Sequence, residues 1–118
     1  MQDLTEYYSK VLSLESNNLR LIKVDPNLIL NDHQHYQRYR IEDKVIHHMK
    51  HWDKDYNFGI LALRPDGYYF TINGQHHADA AVRLGETEVH YYVFDSIGWE
   101  EEKVIFEVFV KLQAELNN

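Results

Sequence analysis

Thr71-Ile72-Asn73-Gly74-Gln75-His76-His77-Ala78-Asp79-Ala80-Ala81-Val82-Arg83-Leu84-Gly85 is the stretch from which the fold can be read. It continues the run Tyr68-Tyr69-Phe70, whose aromatic and β-branched side chains read with Thr71-Ile72 as a strand. Asn73-Gly74 is the strongest local turn signal in the chain. The alanine-rich segment behind it, a helix over 80–84, stops at Gly85, a natural helix C-cap. A strand that turns at glycine into a helix leaves the first helical N–H groups at the sheet edge. With the positive end of the helix dipole behind them, those groups attract anions. Gln75, His76 and His77 stand where their side chains can add donors.

Immediately upstream, residues 58–64 form a short apolar strand, and Pro65-Asp66-Gly67 is a turn with proline at its first central position. The two strands therefore pair as a hairpin. Downstream, residues 88–95 are apolar on both faces, which predicts a central strand. The last element starts near Gly98, where Glu100, Glu101 and Glu102 complement a helix N-terminus. Ile105, Phe109, Leu112 and Leu116 form one stripe, and Val104, Phe106, Val108 and Val110 spread apolar surface beyond it. So much apolar surface predicts deep burial or a partner, and a homodimer through the 104–116 helix is expected. The Val-Ile-Phe-Glu-Val-Phe-Val run has strand propensity of its own. The acidic first turn and the Lys-Leu-Gln-Ala-Glu-Leu continuation favour helix.

In the first half, Leu4, Tyr7, Tyr8, Val11 and Leu12 recur at the helical period over residues 3–14. Residues 19–24 read as a strand that runs into the turn Asp25-Pro26-Asn27, with Leu28-Ile29-Leu30 extending or bending it. A polar loop, Asn31-Asp32-His33-Gln34-His35, leads to Tyr36-Gln37-Arg38-Tyr39-Arg40. Residues 42–52 then place Val45, Ile46, Met49 and Trp52 on one helix face, and a row of Lys44, His47, His51 and Lys54 on the other reads as solvated. Helices mixed with a hairpin point to an α+β fold.

At 118 residues the chain is long enough for one domain with a real core. A hydrophobic share of 44% and a charged share of 26% are those of a soluble globular protein. No apolar run approaches the roughly 20 residues of a membrane span. No signal-peptide pattern is present. The absence of cysteine excludes disulfides and thiolate chemistry, and a cytoplasmic location is expected. A net charge of −7 argues against non-specific nucleic-acid binding. Eight histidines mean that charge rises steeply below neutral pH.

From about Leu21 onward, the order of elements and several motifs resemble the ParB/sulfiredoxin-like superfamily. The resemblance is to small ParB-like domains of phages and mobile elements with an Asp-Gly-Gln-His-Arg signature. The matching pieces are Val24-Asp25-Pro26, Tyr36-Gln37-Arg38, the Asp66-Gly67 hairpin, Asn73-Gly74-Gln75-His76-His77 with Ala80-Ala81 and Leu84-Gly85, residues 89–94 and the Glu-rich start of the last helix. The resemblance implies a single ParB/sulfiredoxin-like domain over 19–118, a small mixed sheet flanked by helices, with an added N-terminal helix and linker over 1–18. It also implies that the loop at Gly74 binds phosphates of a nucleotide, CTP in ParB proteins and ATP in sulfiredoxins, together with magnesium; some relatives are nucleases. Asn73, Gly74, Gln75, His76 and His77 are then expected to line the site, with Tyr36, Gln37 and Arg38 approaching from the other side. The chain departs from the signature in two places. Asn73 stands for the leading aspartate, and His77 stands for the arginine, without that residue's fixed charge and bidentate fork.

His76 and His77 are the candidate proton-handling residues, being near their titration range at neutral pH. Asp79 either orients a histidine or stabilises the helix start, and Arg38 and Arg40 either meet phosphate or pair with carboxylates. His33, His35, His47, His51, His76 and His77 follow no zinc-binding pattern, so no metal site is expected. Two functions follow. The first is a nucleotide- or phosphate-binding domain, a weak nucleotide hydrolase or nuclease-like protein. The second is a catalytically inactive form of the same fold that binds and regulates a host or defence protein.

Overall fold

Neighbouring residues of one strand are buried on both sides of its backbone: Tyr91 and Val93 face one way, Tyr92 and Phe94 the other, and none is more than 1% exposed. Side chains alternate along a strand, so this one must lie between two apolar layers. The computed structural model describes residues 3–53, 55 and 57–116, except for the side chains of Asn57, Phe58 and Leu116. Lys54 and the Phe58 and Leu116 side chains therefore lie outside the described residues. The order is α1 (Thr5–Val11), β1 (Arg20–Val24), a 3-10 turn (Pro26–Leu28), β2 (Ile29–Leu30), α2 (Glu42–Lys50), β3 (Asn57–Leu63), β4 (Tyr69–Asn73), α3 (Gln75–Arg83), β5 (Val89–Asp95) and α4 (Trp99–Leu116).

The described residues form a five-stranded mixed sheet in the order β1-β5-β3-β4-β2. The predicted hairpin is present, with Ala62 opposite Phe70 and Leu63 opposite Tyr69. β5 runs parallel to β3 and antiparallel to β1, which makes it an interior strand as expected. The short β2 lies parallel to β4 at the edge. One face carries Ile60, Ile72, Tyr92 and Phe94, packed with Leu14 from the segment after α1 and with α1 and α4. The other carries Leu61, Val89, Tyr91 and Val93 under Ala78 and Ala81 of α3. The result is the expected α+β arrangement, a small mixed sheet flanked by helices. No described helix is long and apolar enough to cross a membrane.

Three details differ from the sequence reading. α3 begins at Gln75 rather than near Ala80, because Gly74 takes a left-handed φ of 97° and lets the helix start within one residue of the strand. Ile46 is 39% exposed, so α2 buries Val45 alone in its middle. On α4, Ile105 and Phe109 enter the core while Val104 is 60% and Val108 41% exposed, so the helix is not apolar-buried all round.

The third buried residue of α4 is Glu102, read from sequence with Glu100 and Glu101 as an acid complementing the helix N-terminus, and it has no exposure at all. Its two carboxylate oxygens accept from Arg64 Nε at 2.9 Å and Nη2 at 2.8 Å. Ser96 Oγ donates to it at 2.6 Å and the Tyr36 hydroxyl at 2.8 Å. Arg64 Nη2 also reaches Asp32 at 2.7 Å, and its guanidinium lies 3.6 Å from the centre of the Phe70 ring. Burial raises the Asp32 carboxyl pKa, but hydrogen bonds from Arg64 and His35 outweigh it and hold the group below its usual range. Removing one partner of a buried pair strands the other charge, at a cost of about 3–5 kcal/mol. Arg64→Ala is expected to lose about that much stability in urea unfolding, and a loss below about 1 kcal/mol would deny the network its structural role.

Candidate functional site

The turn at Gly74 is fixed from two directions. The β3–β4 register shifts at Ile60, and beside it Gly59 takes a φ of +150°; a Cβ there would sit 2.2 Å from the Asn73 carbonyl oxygen. Only a glycine lets β3 approach the end of β4 so closely. From β5, the buried Tyr91 hydroxyl donates to the Gly74 carbonyl at 2.6 Å, which also receives the Ala78 N–H at 3.1 Å. Burial pushes the Tyr91 phenol pKa up, so it remains a donor.

A pair of amides then ties the 36–40 loop to the start of α3. Gln37 Nε2 donates to the Thr71 carbonyl and hydroxyl, each at 3.1 Å. Its Oε1 accepts the Arg38 N–H at 3.0 Å and Gln75 Nε2 at 3.3 Å. Gln75 Nε2 also donates to the Arg38 carbonyl at 2.8 Å. Both partners of that nitrogen are carbonyl oxygens, which settles the orientation of the Gln75 amide. Its Oε1 is buried without a partner among the described residues.

Between this amide pair and α4 opens a small cleft of about 160 Å3. Arg38, Lys44, Gly74, Gln75 and His76 line one side, and Phe106, Phe109 and Val110 line the other. Gly74 has no side chain to cap α3, so the first N–H groups of the helix are left to other acceptors. No carboxylate is among the lining residues. Asp79 of α3 and Glu42 of α2 are engaged with arginines, Asp79 with Arg40 at 2.9 Å and Glu42 with Arg83. The cleft is thus locally positive on a chain of net charge −7.

Of the residues predicted to form a site, Gln37, Arg38, Asn73, Gly74, Gln75 and His76 meet in this cleft. Tyr36 stands behind it, its ring against Phe106 and its hydroxyl on Glu102, and burial pushes its phenol pKa up. His76 Nε2 is 3.0 Å from the Ile41 N–H and accepts from it, so the ring is neutral. Burial, then the nearby Lys44, lowers its pKa. His77 does not line the cleft. Successive helix positions diverge by about 100°, and its ring packs 3.6 Å from that of His48 and 6.4 Å from that of Trp52. Burial, then His48 and His76, bring its pKa down to about 3. At neutral pH its side chain offers no charge to a phosphate. Only its backbone N–H remains at the head of α3.

Lys44, Phe106, Phe109, Val110, Gly59 and Tyr91 were missed as contributors to the site. Lys44 belongs to the row read as solvated, and nothing local marks Gly59 as a close approach. His33 stacks on Tyr39 at 4.7 Å and His35 on Trp99 at 4.1 Å. No group of three histidine or carboxylate side chains among the described residues is arranged to hold a metal.

No protein-family model and no curated protein matches the sequence. Solved structures do. The C-terminally truncated chromosome-partitioning protein ParB from Caulobacter crescentus, complexed with CTP-gamma-S, superposes with a TM-score of 0.56 at 18% identity, over 78% of this chain and 52% of that one. Protein Atu1540 from Agrobacterium tumefaciens does so with a TM-score of 0.52 at 16% identity, over 85% of this chain and 50% of that one. The chain spans about half the length of the structures it matches. It has the ParB-like fold that its motifs led one to expect.

Gly59→Ala is expected to force the Asn73 carbonyl aside, lowering stability by about 2 kcal/mol or more. It should also shift the Gly74 and Gln75 amide resonances. Unchanged amide positions in that variant would show that β3 does not set the turn.

Proposed function

We propose that the cleft at the head of α3 is a nucleotide- or phosphate-binding site and that the chain works as a ParB-like ligand-binding domain. The observation that carries this reading is the meeting of the uncapped α3 N-terminus with Arg38 and Lys44 in a cleft without a lining carboxylate. Helix N–H groups and fixed cations together favour phosphate over neutral ligands. The apolar wall of Phe106, Phe109 and Val110 suits a planar ring or sugar face. The ParB of similar fold, solved with CTP-gamma-S, adds support for a nucleoside triphosphate such as CTP or ATP.

In this reading Arg38 and Lys44 balance the phosphate charge, and Gly74, Gln75 and His76 approach the phosphates with their N–H groups. Magnesium arrives with the phosphates rather than in a protein cage, since no carboxylate lines the cleft to ligate it. His76 is the lining imidazole, and to take a proton it must first release the Ile41 N–H. Any hydrolase or nuclease-like activity is therefore weak. The chain would act in the cytoplasm, in a phage or mobile-element setting.

A second reading has its own observation. Val104 and Val108, one helical turn apart, are exposed on α4 and suit a second copy of the chain or a host protein regulated by it. Concentration-dependent light scattering separates a dimer from a monomer.

Calorimetric titration with CTP, ATP and GTP, with magnesium, tests the first reading. One nucleotide should bind saturably, and Arg38→Ala should weaken it about tenfold or more, the value of one lost charged hydrogen bond. His77→Ala should leave affinity near that of the wild type while lowering thermal stability. If no nucleotide binds, the reading is wrong.

A further inference from the structure

We propose that the α2–α3 interface is a pH-sensitive latch, closed while its histidines are neutral and opened at the His48–His76 contact when they take up protons. The latch is a property of the ligand-free chain and stands whether or not the cleft binds a nucleotide.

Five of the eight histidines gather on two facing elements. The His48 ring lies 3.6 Å from that of His77, 5.9 Å from His47 and 6.5 Å from His76, and His47 lies 4.6 Å from His51. The charged groups beside this seam include Lys44 and Glu42 from α2, Asp79 and Arg83 from α3, and Arg40 just before α2. Asp79 is already paired with Arg40, and Glu42 with Arg83. A proton added to His48 or His76 therefore enters a seam that holds Lys44 and other imidazoles, with both of these acids already engaged.

His76 also carries a mechanical consequence. Its Nε2 accepts the N–H of Ile41, the residue at which α2 begins. A protonated ring has no lone pair to accept with, so this contact is lost on protonation. Arg83 also pairs with Glu42 in the first turn of α2, and the arginine's hydrogen bond holds that carboxyl below its usual range. That pair persists when the histidines charge, so α2 swings about its first turn instead of detaching.

The sign follows from linkage. Burial, more than neighbouring charge, holds His48, His76 and His77 below the ordinary histidine value. The closed form thus binds fewer protons than the open one, and closure is strongest above about pH 6.5 and weakens as pH falls. Each histidine that must stay neutral costs up to about tenfold in the closed-to-open ratio per pH unit.

Amide hydrogen exchange of the ligand-free protein, corrected for intrinsic rates, reads the latch between about pH 7.5 and about pH 5.5. Protection in α2 should fall by about tenfold or more while β3 and β5 keep theirs. The double variant His48→Phe with His76→Gln, in which the glutamine still accepts the Ile41 N–H, should lose that dependence. Constant α2 protection in the wild type, or loss in step with the sheet, overturns the proposal. So does a dependence that survives in the double variant. If that variant does not fold, the wild-type exchange pattern decides.

Discussion

A carboxylate with no exposure, Glu102, is held by four donors from three other segments, and the position of the cleft follows from it. Burying a charge costs several kcal/mol, so the carboxylate stays only where its partners stay. Arg64 at the end of β3, Ser96 after β5 and Tyr36 in the long loop must all converge on the first turn of α4. Tyr36 placed in this way puts Gln37 over Thr71, and Gln37 in turn holds Gln75 and the Arg38 backbone. The chain of hydrogen bonds runs from the far end of the sheet to the head of α3. Disturbing the buried acid should therefore be felt at Arg38, although neither residue touches the other.

Electrostatics in the cleft run against those of the whole molecule. The chain is acidic, yet no carboxylate lines the cleft, and Asp79 and Glu42 are each paired with an arginine, Asp79 with Arg40 and Glu42 with Arg83. Arg38 and Lys44 are thereby left to face the cleft with the positive end of α3. A net charge of −7 repels long polyanions while a local positive pocket still admits a small one. That contrast fits a free nucleotide better than a nucleic acid.

Much of this was legible in the residues. Asn73-Gly74 before an alanine-rich segment fixes a strand, a turn and a helix, and the hairpin at Pro65-Asp66-Gly67 fixes the neighbouring strand. The ParB-like motif order carried the remaining topology. Three kinds of fact were hidden. Glu102 sits among three glutamates of like appearance, and only the placement of Arg64 decides which one is buried. Gly59 matters because of what lies across the sheet from it. His76 and His77 are adjacent in sequence but face a cleft and a helix respectively, and the exact start of α3 decides which does which. Each depends on contacts between distant segments, which periodicity does not encode.

The most direct measurement is amide chemical-shift mapping by NMR as pyrophosphate is added to the protein. The account predicts that the amides of Gly74, Gln75 and His76 shift together along one saturable curve, with Arg38 and Lys44 following. Saturable shifts elsewhere, or none at the head of α3, would contradict it.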